Sequence, residues 1–311
     1  MVMDSLITAT DHTTGTLFVD DVDRIDCAVF DPSIGVVGQS WFVDIEVSGQ
    51  LDDNGFVYDF SHLKKMVKAV LKKSVDHALL IPIMSKHVHF QDDPSGEFWQ
   101  LKAKTRLTGI DSDWTYKCPK GAVYPVRAVK VTREALEQEC TKVLRHRLGQ
   151  DISRVQVRLR PEEGQSGDTF FRYTHGITQH EGACQRLFHG HRSRLRVYVA
   201  DERRHDLEQY IAHDIFGSIV HIASIRQVIS GVHELRARPS SPEPVTLGYE
   251  GSYGNFQATI PANRIFFVEQ ATSIECLTQE IATLLAHKTN ERATIRVCCF
   301  EGIEKGAIAE A

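Results

Sequence analysis

The run Cys184-Gln185-Arg186-Leu187-Phe188-His189-Gly190-His191 holds the densest chemistry in this chain, and it opens a stretch, Arg194-Leu195-Arg196-Val197-Tyr198-Val199, that alternates as a strand should. Side chains at i and i+2 of an extended segment point to one face, so His189 and His191 set two imidazoles side by side. The glycine between them lets the backbone approach a ligand closely. Paired imidazoles suit a metal. A catalytic zinc keeps three protein ligands and one open position, whereas a structural zinc is closed by four, so one further ligand is required here. His175, at the end of Phe170-Phe171-Arg172-Tyr173-Thr174, is the first choice for it, with His180 in reserve. A His-x-His pair alone is more often a core or surface feature, so the surrounding elements decide its meaning.

Composition sets the outer limits. A chain of 311 residues can build two domains of ordinary size, each with its own core. With 42% hydrophobic and 25% charged residues and a mean hydropathy of -0.24, it reads as a soluble globular protein. Met1-Val2-Met3-Asp4-Ser5-Leu6 carries an acid where a secretory signal would be basic, and no long apolar run follows, so a cytoplasmic protein is expected. The seven cysteines follow no framework spacing and no CxxC ribbon, which points to reduced thiols. A net charge of -5 removes any general drive toward nucleic acid or anionic membrane. Arg192, Arg194 and Arg196 alternate along a strand and are expected to cover a solvated face. His87 and His89 alternate too, but lack a third partner and read as structural. Trp41, Trp99 and Trp114 read as core or interface residues.

The elements that must position these residues occur twice. The first half reads as a strand over about 16–29, a strand over about 40–49, and a helix opening at Asp59-Phe60-Ser61. After Pro82 comes a segment that could hold an extra hairpin, then a helix from Thr132 and an alternating strand, Val155-Gln156-Val157-Arg158-Leu159. The second half repeats this order. Arg24-Ile25-Asp26-Cys27 aligns with Arg172-Tyr173-Thr174-His175, Val37-Gly38-Gln39 with His189-Gly190-His191, and Asp76-His77 with Val220-His221. Ser273-Ile274-Glu275 likewise matches Thr132-Arg133-Glu134, and Ile295-Arg296-Val297 matches Val155-Gln156-Val157. A duplicated strand-strand-helix-helix-strand unit is the economical reading. The boundary falls in the loop-forming run Pro161 to Gly167, giving copies over about 1–162 and 163–311.

These pieces resemble the 6-pyruvoyl-tetrahydropterin synthase and 6-carboxytetrahydropterin synthase family, the latter being the queuosine-pathway enzyme. The resemblance is carried by His175, Cys184, His189-Gly190-His191, Gly55-Phe56-Val57-Tyr58-Asp59-Phe60, Asp76-His77-Ala78-Leu79-Leu80, Thr132-Arg133-Glu134 and Cys299-Phe300-Glu301. It spans most of the chain, with the pieces divided between the copies. Copy one has the acid-histidine pair but shows Cys27, Val37 and Gln39 where ligands would stand. Copy two has the ligands, the cysteine and the glutamate, while Val220 replaces the aspartate. Family sites form between neighbouring subunits, so a fused pair is expected to keep one composite site.

The resemblance implies the tunnelling fold, an α+β unit with antiparallel strands and two helices on one face, here present twice, and a homo-oligomer of dimer size or larger. It implies zinc held by His175, His189 and His191, and a lyase acting on 7,8-dihydroneopterin triphosphate. On that reading Cys184 is the general base, His77 oriented by Asp76 shuttles a proton on the other face, and Glu301 accepts hydrogen bonds from the pterin ring. The 6-carboxytetrahydropterin product ranks ahead of the 6-pyruvoyl one. Cys184 stands five residues before His189, where the carboxy branch usually has four, the extra residue being Phe188. The rival from another class is a pterin-binding protein without catalysis.

Overall fold

The computed structural model describes residues 14–107, 110–180, 182–231, 239–289 and 293–311; the amino-terminal stretch Met1 to Leu6 lies outside the described residues. Alternation draws Thr14–Asp31 (β1) and Gly35–Gln50 (β2) into a long antiparallel hairpin that buries Ile25, Cys27, Val43, Ile45 and Val47. Asp59 accepts a hydrogen bond from the His62 amide at 2.8 Å and so starts helix α1 (Phe60–Lys73), whose buried stripe is Leu63, Val67 and Leu71. Leu79–Pro82 (β3), Val88–Asp92 (β4), Phe98–Leu107 (β5), Ile110–Pro119 (β6) and Val123–Val126 (β7) follow. Thr132 then caps α2 (Arg133–Arg145), and Ile152–Arg160 (β8) closes the first unit. Leu136, Cys140 and Leu144 of α2 join the α1 stripe in one core.

The second unit runs Thr169–His175 (β9), His189–Val199 (β10), Glu202–Arg203 (β11) and His205–Gln209 (α3), which passes into a π-helical turn over Tyr210–Ile215. It continues as His221–Ser224 (β12), Val228–Ser230 (β13), Pro244–Gly251 (β14), Gly254–Pro261 (β15), Ile265–Val268 (β16), Ile274–Thr289 (α4), Ile295–Phe300 (β17) and Gly306–Glu310 (β18). The sheet order β7-β3-β1-β2-β8 recurs as β16-β12-β9-β10-β17, with β18 added at the far edge and β11 on β10. Each sheet buries one face against its own helices. The fold is therefore α+β, the tunnelling-fold unit twice over. The insertion after Pro82 is three strands, and β6 pairs with β15 so that both units' insertions make one six-stranded sheet, β13-β14-β15-β6-β5-β4.

Strand pairing corrects the alignment of the two units. Ala28 pairs with Leu79 as Thr174 pairs with His221, and Val29 faces Val37 as His175 faces His189. Leu79, not His77, is thus the counterpart of His221, and Val29, not Cys27, stands where His175 stands. A slip of two residues leaves every side chain on its original face, so apolar patterning cannot detect it.

The two sheets cross at a pair of glycines. A Cβ on Gly190 would lie 2.7 Å from the Gly38 Cα, and one on Gly38 would lie 2.1 Å from the Tyr173 carbonyl oxygen. Gly190 is therefore required by backbone meeting backbone, not by a ligand's approach. The arginines also differ from expectation. Asp168, with a fully buried side chain, receives Arg194 at 3.2 Å, Arg196 at 3.0 Å and Arg203 at 2.9 Å, while Arg192 lies over the Phe170 ring. A buried carboxylate demands partners, and the β10 arginines supply them instead of covering a solvated face.

Candidate metal centre and its partners

β9 ends at His175 directly opposite His189, the first residue of β10. That pairing, with His191 one pleat further on, converges three imidazoles whose ligand atoms all lie within 4.8 Å of one another. All three are buried. Each ring's Nδ1 is turned outward to a fixed partner. His175 Nδ1 lies 2.5 Å from the Thr272 carbonyl oxygen, His189 Nδ1 lies 3.1 Å from that of Arg186, and His191 Nδ1 lies 3.2 Å from Asp26 Oδ1. The carbonyl partners of His175 and His189 fix the tautomer and leave Nε2 as the free lone pair, while the Asp26 carboxylate approaches His191 at ion-pair distance without hydrogen-bond geometry.

The inner atoms fit a metal. Nε2 of His175 and Nε2 of His191 stand 3.1 Å apart, and Nε2 of His189 is buried without a hydrogen-bond partner among the described residues. Two nitrogens bound to one tetrahedral zinc at about 2.0–2.1 Å stand roughly 3.3 Å from each other. Burial, reinforced by the neighbouring imidazoles, pushes His175 down to about 3 and His189 well below the ordinary histidine range, so both rings are neutral, as ligation requires. His180 is exposed and takes no place in the cluster.

The first unit supplies the other wall. The His77 ring stacks on His189 with centroids 5.3 Å apart and planes 27° apart. Its Nδ1 lies 2.8 Å from Asp76 Oδ2, while Asp76 Oδ1 accepts the Asp26 amide at 3.0 Å. Burial alone would lower His77, but hydrogen bonds to Asp76 and to the Cys184 side chain outweigh it and carry the imidazolium up to about 10. His77 also adopts a left-handed backbone, with φ of 54°, and its amide donates to the Asp26 carbonyl oxygen at 2.6 Å. That conformation is strained for a residue with a Cβ, and the surrounding bonds hold it.

Cys184 sits in a short 3-10 turn over Ala183–Gln185 and reaches His77 despite the long spacing to His189. The extra Phe188 is absorbed inward, edge-on to Tyr116 and His221. Glu301 Oε1 lies 3.8 Å from His175 Nε2, with Lys305 Nζ 3.6 Å from the other oxygen. The β8–β2 and β17–β10 registers place Pro161 at the equivalent point of the first unit.

Asp26 was not foreseen. It links the halves, since its carboxylate meets His191 and accepts the Ser40 hydroxyl. Burial would raise it, yet the contact with the His191 ring and the Ser40 hydroxyl bring it down to about 2. Its one sequence signal is a lone acid in the apolar part of a strand. His221 is likewise buried, with Nδ1 2.9 Å from Thr174 Oγ1 and a ring lowered to about 3 by burial.

A two-unit α+β protein with a buried three-histidine centre, walled by an acid-histidine pair from the other unit, is the class that the fold and site define. Residues 35–166 match the family model described as 6-pyruvoyl tetrahydropterin synthase. This segment, which includes Asp76-His77, carries the chain's likeness to the family of 6-pyruvoyl- and 6-carboxytetrahydropterin synthases. Two proteins provisionally named 6-carboxy-5,6,7,8-tetrahydropterin synthase, from Pyrococcus abyssi and Pyrococcus horikoshii, are 22% and 24% identical over 122 residues. The match spans 39% of this chain and 66% of each relative, just under two thirds of their length. Among solved structures, 6-pyruvoyl tetrahydropterin synthase from Plasmodium vivax is 18% identical with a TM-score of 0.38, covering 49% of this chain and 94% of that one. The Plasmodium falciparum enzyme is 20% identical with a TM-score of 0.37, covering 47% and 91%.

Proposed function

We propose that this chain is a zinc-dependent lyase acting on 7,8-dihydroneopterin triphosphate, with one composite site per chain and 6-carboxytetrahydropterin as its product. The observation that carries this reading is the His77 ring, from the first unit, stacked on His189 of the triad in the second. On this reading the copies span 1–162 and 163–311, and fusion holds within one polypeptide what separate subunits would otherwise assemble.

His175, His189 and His191 would hold the zinc, and a bound zinc polarises the oxygens of the substrate side chain so that an adjacent C–H becomes more acidic. Cys184, whose side chain reaches the His77 ring, accepts that proton as the general base. His77 holds a second proton at Nε2, with Asp76 fixing Nδ1, and delivers it to the opposite face of the reacting carbons. Glu301 anchors the ring by accepting pterin N–H bonds, which orients the side chain toward the triad. The family names of the Pyrococcus relatives favour the carboxy product, with the 6-pyruvoyl product as the alternative.

In the first unit the positions of the triad are Val29, Val37 and Gln39, a set that offers no imidazole, so a single metal per chain is expected. The seven free thiols accord with a reducing, cytoplasmic setting. Among the described residues no helix is long and apolar enough to cross a membrane. The exposed edge of β8 supports assembly into a homo-oligomer. Metal analysis and product analysis test the proposal together. About one zinc per chain, lost in His189→Ala, with triphosphate released from the substrate, is the expected result; tight pterin binding without turnover would make this a binding protein instead.

A further inference from the structure

We infer that Arg186 is the positioning residue that joins the two halves of the composite site. Its backbone and its side chain act on different units. The Arg186 carbonyl oxygen lies 3.1 Å from His189 Nδ1 and accepts the His189 amide at the same distance, fixing the ligand on the second unit. Its guanidinium Nη1 donates at 3.0 Å to the carbonyl oxygen of Asp76, the residue before His77 on the first unit. One residue therefore sets both rings of the His77–His189 stack.

A buried arginine is costly without a carboxylate partner. Arg186 is 6% exposed, its Nε has no hydrogen-bond partner among the described residues, and burial lowers its affinity for a proton. Its guanidinium lies 5.8 Å from the centroid of the Tyr253 ring, which supports the side chain from the inserted sheet. Such an arrangement persists where the geometry it enforces is needed. The Asp76 carbonyl leads straight into the left-handed residue His77, so releasing it frees the backbone that aims the imidazole.

This inference rests on the proposed proton transfer by His77, and its test separates the two. Arg186→Met removes the side-chain bond while leaving the carbonyl that holds His189. Zinc content should stay at that of the unsubstituted protein, KM should change little, and kcat should fall roughly 10- to 100-fold, the cost of misplacing a reacting group by about 1 Å. Arg186→Lys should recover part of the loss. In a His77→Ala background Arg186→Met should have no further effect, because the two act through one group. Nitrogen–proton NMR of the His77 ring gives a readout that needs no turnover, and Arg186→Met should shift its signals while those of His175 stay in place. Unchanged kcat, an additive loss in the His77→Ala background, loss of zinc, or unmoved His77 signals would each overturn the inference. An unsubstituted protein without turnover but with the NMR response would overturn the catalytic reading and leave the positioning role standing.

Discussion

Each histidine of the triad faces a group outside the triad. Two of those partners are backbone carbonyls, of Thr272 and Arg186, and the third is the Asp26 side chain from the other unit. Outer partners of this kind typically carry 10- to 100-fold in metal affinity. Asp26→Asn is therefore expected to weaken zinc binding by about that factor, measured by competition with a chelator; unchanged affinity would mean that Asp26 serves packing alone. Histidine spacing on a strand singles out the triad and the family resemblance singles out Cys184, Asp76, His77 and Glu301, and the structure brings these residues together. Asp26 and Arg186 could not be singled out in either way. Their roles come from a meeting of strands far apart in sequence, which no local pattern encodes.

At the scale of elements, the crossing of the two hairpins sets the distance between the site's walls. Gly38 and Gly190 allow backbone contact there, and a methyl group on either would sit well inside van der Waals contact with main-chain atoms. Gly190→Ala is expected to destabilise the protein by about 1–3 kcal/mol, as overpacking of a closed core does, and to lower zinc affinity by spreading the sheets. Urea unfolding of the variant checks the first effect; a midpoint equal to that of the parent would show that the sheets move apart freely. The helices capped by Asp59 and Thr132 were legible from cap residues and apolar spacing. The two-residue slip in the repeat was not, since it preserves every strand face. Neither was the shared six-stranded sheet, whose β6–β15 pairing joins segments that show no common signal.

For the molecule as a whole, the Asp168 cluster ties the start of β9 to β10 and β11 and should dominate part of the acid response. Burial alone would raise the Asp168 carboxyl, but hydrogen bonds from Arg196, the Gln165 amide, Arg203 and Arg194 hold it well below the ordinary value of 3.8. A depressed folded-state value means that its contribution is fully present above the unfolded pKa and is lost as pH falls through it. Stability should therefore decline below about pH 4, and Asp168→Asn should flatten that limb while lowering stability at neutral pH. Thermal unfolding across pH 2–7 reads both effects, and parallel curves for the two proteins would contradict them.

On the proposed reading, the first unit completes the site of the second. Triphosphate release from 7,8-dihydroneopterin triphosphate by zinc-loaded His77→Asn tests it most directly. The composite site requires that this variant keep its zinc while turnover falls by at least about 100-fold, the scale of a lost general acid. A variant that retains zinc and turns over at the rate of the unsubstituted protein would show that the second unit works alone.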